Sequence, residues 1–86
     1  MNGYKNVETY SVREYWLDDI VRRVVEDELE LPQDYETFRD MVYDEVLEAT
    51  GAERHPFLLD LLVESVYVKP DWRELLDWTR EAVANY

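Results

Sequence analysis

The chain has no cysteine, one histidine, two glycines and three prolines among its 86 residues. Without cysteine there is no disulfide, no thiolate nucleophile and no zinc-thiolate site, which fits a reducing compartment. The single histidine, His55, lies in a Glu53-Arg54-His55-Pro56 turn and reads as a solvated residue at a helix start. Ser11 and Ser65 have no histidine at a useful spacing, so serine-based acyl transfer is not expected. No Gly-rich phosphate loop and no calcium-loop spacing are present. No apolar run approaches the roughly 18 residues that cross a bilayer, and the start, Met1-Asn2-Gly3-Tyr4-Lys5-Asn6, lacks the apolar stretch of a signal peptide. The expectation is a cytoplasmic protein that is not an enzyme and has no catalytic residues, no metal and no cofactor.

Positive charge is also scarce. Nine Lys and Arg face 21 Asp and Glu, a formal net charge of −12. Direct binding to nucleic acid is disfavoured, because that affinity comes from cations that displace phosphate counterions. Anionic membranes are disfavoured for the same reason, whereas a basic protein surface is a favoured partner. The acidity runs through the whole chain and is not confined to a tail. A hydrophobic content of 47% and an aromatic content of 14% are enough for a folded core. The length allows one such core, so residues 1–86 are expected to form a single acidic helical domain.

The few helix breakers divide the chain into four pieces. Asn6 is a good N-cap, and the rows Val12, Trp16, Ile20, Val24 and Leu17, Val21, Val25, Leu29 form adjacent apolar stripes. They predict a first helix over about 7–30, stopped before Pro32. Asp34 and Gly51 bound a second helix over 34–50, with Gly51 suited to the left-handed position after a helix end. Pro56 starts a third over 56–68, apolar on nearly all sides and therefore expected at the centre, covered by the other three. Its Val66–Val68 end also has strand character, but an unpaired strand has no partner here. Pro70-Asp71 starts a fourth helix over 70–85. The fold class expected is all-α, a compact four-helix domain.

Two constellations stand out. On the second helix Glu36, Asp40, Asp44 and Glu48 recur every four residues, about 6 Å apart along the axis. Such like-charged neighbours cost roughly 0.2–0.5 kcal/mol per pair, and Arg39 is the cation placed to relieve them. The spacing is comparable with two phosphate steps of a nucleic-acid strand, about 3.4 Å each. The row, with Asp34 and Glu45 beside it, is thus a candidate surface for a basic groove; the alternative is a solvated acidic face. The second constellation is aromatic. Trp16 and Trp72 fall on apolar stripes and are expected in the core, whereas Tyr15 and Trp78 fall off them and, if exposed, are candidate interface anchors or a homodimer seam, the favoured alternative being burial in a small, aromatic-rich core. Asp18-Asp19 and the Glu26–Glu30 run read as solvated carboxylates that would hold a divalent cation only weakly.

The opening residues Asn2-Gly3-Tyr4-Lys5-Asn6-Val7-Glu8-Thr9-Tyr10, followed by Trp16-Leu17-Asp18-Asp19, resemble the start of a family of small phage and mobile-element proteins. That family opens Asn-Gly-Tyr-Lys-Asn-Trp-Glu-Thr-Trp, so Val7 and Tyr10 stand where it has tryptophan. The resemblance covers about the first twenty residues and carries over no catalytic residue. It implies a viral or mobile-element origin, with host cytoplasm as the location. Physically the motif reads as a helix start, capped by Asn6 and with Tyr4 and Tyr10 as an aromatic staple. Charge, size and resemblance together lead to an expected inhibitor of a host nucleic-acid-processing defence protein, of the DNA-mimic, anti-restriction or anti-CRISPR kind. The rival reading is a halophile-adapted structural or interaction protein, which suits a chain with only Lys5 and Lys69 as lysines.

Overall fold

A computed structural model describes residues 6–86, and among them there are four helices and no strand. Helix α1 is α-helical over Val7–Val12 and Asp18–Val25, joined by a π-helical turn over Arg13–Leu17. Helix α2 is Tyr35–Thr50, followed by a short 3₁₀ turn over Ala52–Arg54. Helix α3 is α-helical over Pro56–Leu62 and continues as a π-helical turn over Val63–Val68. Helix α4 is Trp72–Ala84.

The helix starts follow from capping chemistry. The side chains of Asn6, Asp34 and Asp71 each accept the backbone N–H three residues on, from Thr9, Thr37 and Glu74. Asn6 also reaches across the fold: its Nδ2 donates to the Lys69 carbonyl at 2.9 Å. Thr9 is fully buried between the same two chain segments. Its hydroxyl donates to Asn6 Oδ1 at 2.8 Å and accepts the Asp71 N–H at 2.7 Å, so one cap network ties the start of α1 to the start of α4. The other half of the predicted staple, Tyr4, lies outside the described residues.

The ends of α1 and α2 differ. Gly51 takes the left-handed conformation at φ 66° and donates its N–H to the Leu47 carbonyl at 2.9 Å, as its lack of a Cβ allows. Helix α1 ends at Val25, five residues short of the predicted limit at Glu30. Asp27 adopts φ 61°, and the N–H groups of Glu28 and Asp27 close back on the carbonyls of Arg23 and Val24, a Schellman turn without glycine. Pro32 forbids continuation, and the Glu26-Asp27-Glu28 run opposes the negative end of the helix dipole. Arg22 holds the turn, its guanidinium bonding Glu26 at 2.6 Å and Asp19 at 2.8 Å. Leu29 and Leu31 still pack against the core, so the apolar pattern outlasts the helix.

The core is built by α1, α2 and α4. Val12, Leu17 and Ile20 meet Phe38, Val42 and Val46 and are closed off by Trp72, Leu75 and Leu76. Phe38 and Trp72 pack edge to face, 5.9 Å between ring centroids. Trp16 is half-buried against this cluster. Helix α3 corrects the sequence reading: it is peripheral, not central. Only Val66, from its π turn, joins the buried cluster, and no residue of Pro56–Leu62 is buried. The stripes of α1, α2 and α4 cover most of one another, so α3 contributes only Val66 to the buried cluster and Leu62 to its edge.

Candidate interaction surface

The predicted carboxylate row keeps its four members exposed along one edge of α2. Phe38, Val42 and Val46, all 0% exposed, anchor the opposite face, so the core fixes the direction in which the acids point. Glu36, Asp44 and Glu48 make no hydrogen bond or ion pair among the described residues. Asp40 is held from within: Tyr67 Oη donates to its Oδ1 at 2.8 Å and Arg39 Nε at 3.2 Å. The tyrosine hydroxyl, then the guanidinium, keep the Asp40 carboxyl below the usual carboxylate range.

The two residues placed beside the row have other roles. Asp34 is the N-cap of α2, accepting the Thr37 N–H at 2.9 Å and the Thr37 hydroxyl at 2.8 Å, and these bonds lower its pKa. Glu45 lies on a different side of the helix, half-buried, where Arg23 of α1 bonds it at 2.8 Å. It is an inter-helix tie and stands apart from the exposed edge.

The arginines lie mostly on aromatic rings or on acids elsewhere. Arg39 stacks on Tyr67 at 4.3 Å, Arg73 on Tyr35 at 4.8 Å and Arg13 on Trp78 at 4.4 Å. Tyr35, Arg39, Tyr67, Trp72 and Arg73 line an open cleft of about 390 Å³ at one end of the carboxylate row. Both of its guanidiniums feel the charge of Glu36. Arg80 binds the Gln33 carbonyl and lies 3.7 Å from Asp77, bracing α4 against the segment that leads into α2. Burial raises the Tyr43 hydroxyl pKa, and the charges of Glu53 and Asp44 add to it.

Of the predicted interface aromatics, Tyr15 is 78% exposed, whereas Trp78 is partly buried beneath Arg13 and packs on the core. Reasoning from sequence missed three residues on the open side of α3, Phe57, Leu58 and Leu61, which are 76%, 43% and 51% exposed. The available signal was α3 itself: a segment apolar on every side needs wrapping on every side, and three short neighbours with stripes of their own supply little. Among the described residues no three His, Asp or Glu side chains come together as a metal site. His55 occupies the N-cap position of α3 without a side-chain bond to it, and the Ser65 hydroxyl donates to the Leu61 carbonyl. No described helix is long and apolar enough to cross a membrane. No family model, curated protein or solved structure matches the chain.

Proposed function

We propose that this chain is a non-enzymatic binding protein that presents the α2 edge, Glu36, Asp40, Asp44 and Glu48, to a basic surface on another protein. The observation that carries this reading is the pairing pattern. Three of the four row carboxylates make no hydrogen bond or ion pair among the described residues, while Arg39 and Arg73, which feel the charge of Glu36, lie over tyrosine rings and only Arg39 bonds a row member, Asp40. A row of anionic groups held by a packed helix at about 6 Å intervals is comparable in spacing with every second phosphate along a nucleic-acid strand. The partner class is therefore a nucleic-acid-processing protein, and the chain competes with its substrate. The resemblance of the opening residues to mobile-element proteins makes a host defence protein the favoured target. No cofactor or metal takes part.

The test is affinity capture from a host lysate at low and high salt. A basic, nucleic-acid-binding protein that is retained at low salt and released as salt screens the contact supports the reading. Retention of an acidic partner, insensitive to salt, contradicts it.

A second reading has its own observation. Exposed carboxylates also occur on α1, α3 and α4, at Asp18, Asp60, Asp77 and Glu81 among others. That spread suits a halophile-adapted interaction protein kept soluble by its acids. Thermal melting against KCl separates the two: stabilisation that continues into molar salt favours the halophile, and a plateau once screening is complete favours the directed edge.

A further inference from the structure

The part of α3 that the sequence assigns to the core stands open. Phe57, Leu58 and Leu61 fall on one stripe by helical spacing and are the three most exposed large apolar side chains of the Pro56–Leu62 segment. One turn beyond Leu61, Ser65 lines a groove of about 280 Å³ between α3 and α1, facing Tyr15 and Trp16. The two π-helical turns among the described residues both line this groove, since Tyr15 and Trp16 belong to one and Ser65 to the other. Such turns are rare and recur at functional sites, because the extra residue redirects the side chains on either side of it. Exposed apolar side chains grouped on one helix face mark an interaction site more often than single scattered ones do.

Charge decides what covers it. Glu8 lines the groove, and Glu14 and Asp18 are exposed next to Tyr15 in the chain and one turn along. Asp60 and Glu64 are exposed on the other flank of the apolar stripe. Among the described residues no Lys or Arg lines the groove. The nearest one in sequence to the groove, Arg13, is turned onto the Trp78 ring and pairs with Glu14, and Arg54, three residues before Phe57, is exposed and lines a separate cleft with Glu48 and Glu53. A second copy of the chain would set these carboxylates against one another. The matching occupant has an apolar ridge with cations along both edges. We propose that the Phe57, Leu58 and Leu61 stripe, with the Tyr15 groove, is the docking surface for a cationic amphipathic helix of a partner protein. This surface is separate from the α2 edge and stands whether or not that edge binds.

Calorimetric titration with a synthetic leucine-lysine amphipathic peptide of about five helical turns, with backbone amide shifts followed by NMR, tests the assignment. The expected result is saturable binding, with shifts centred on Tyr15, Phe57, Leu58, Leu61 and Ser65. Phe57→Ser with Leu61→Ser should weaken binding at least about tenfold, as should Asp60→Lys with Glu64→Lys, while Asp77→Asn with Glu81→Gln, at exposed positions of α4 outside both surfaces, stays within about twofold. A version of the peptide with glutamate in place of lysine should not bind. Equal binding of a scrambled peptide of the same composition, or shifts confined to α2, would overturn the assignment. So would a dimer in sedimentation equilibrium that Phe57→Ser with Leu61→Ser dissociates, which gives the surface to a second copy.

Discussion

Helices α2 and α3 invert what their compositions imply. Helix α2 carries more acids than any other described helix, yet Phe38, Val42 and Val46 on its inner face are 0% exposed. The Pro56–Leu62 part of α3 has one acid in seven residues and buries none of its side chains. The difference lies in periodicity, not in apolar content. A segment whose acids and apolar residues separate onto opposite faces at helical spacing has one face for solvent and one for neighbours, so its orientation is determined. A segment apolar on every side has no preferred face, and its burial depends on what the rest of the chain has left uncovered.

The largest expected effect breaks or sustains that contrast with one type of substitution. Phe38→Ala should cost about 3–5 kcal/mol in urea unfolding, because it empties the centre of the core. Phe57→Ala should change stability by less than about 0.5 kcal/mol, as for a surface site. Equal losses at the two positions would show that α3 is packed after all. Next in size is the junction between the two helices. A Cβ at Gly51 would meet nothing within 4 Å, so Gly51→Ala isolates the backbone cost of its positive φ, about 1 kcal/mol in thermal or urea unfolding.

The acid response of α2 should be sharper than that of α3, whose N-cap position holds His55 without a side-chain cap bond. The Asp34 pKa is lowered by the Thr37 N–H and hydroxyl. A carboxylate with a depressed folded pKa stabilises fully above its unfolded value, about 3.9, and loses that contribution as pH falls through the lower folded value. Asp34→Asn keeps a competent cap. In urea unfolding between neutral pH and that acid window, the variant should therefore lose less stability than wild type. The smallest effect is on the row itself. Asp44→Asn removes like-charge contacts with Asp40 and Glu48 and should stabilise by roughly 0.2–0.5 kcal/mol per contact relieved, read as a small rise in thermal midpoint.

Local chemistry was legible in the sequence. Asn6, Asp34, Gly51, Pro56 and Asp71 marked helix limits because caps and breakers act within a few residues of themselves. The row from Glu36 to Glu48 was legible as an edge for the same reason. The left-handed turn at Asp27 was not, since aspartate adopts it only when the chain beyond is forced to turn. Nor were the contacts that set each acid's role: Tyr67 reaches Asp40 across 27 positions and Arg23 reaches Glu45 across 22. Those depend on how the helices pack, as does the exposure of Phe57.

The central claim is that the α2 acids are arranged for a cationic surface beyond what solubility requires. The most direct test compares two variants of equal net charge in the same low-salt affinity capture. One carries Glu36→Gln, Asp40→Asn, Asp44→Asn and Glu48→Gln; the other carries Asp18→Asn, Glu30→Gln, Asp77→Asn and Glu81→Gln, all at exposed positions elsewhere. The first variant should lose the basic partner and the second should retain it. Equal retention, or equal loss, would mean that only total charge matters and would contradict the account.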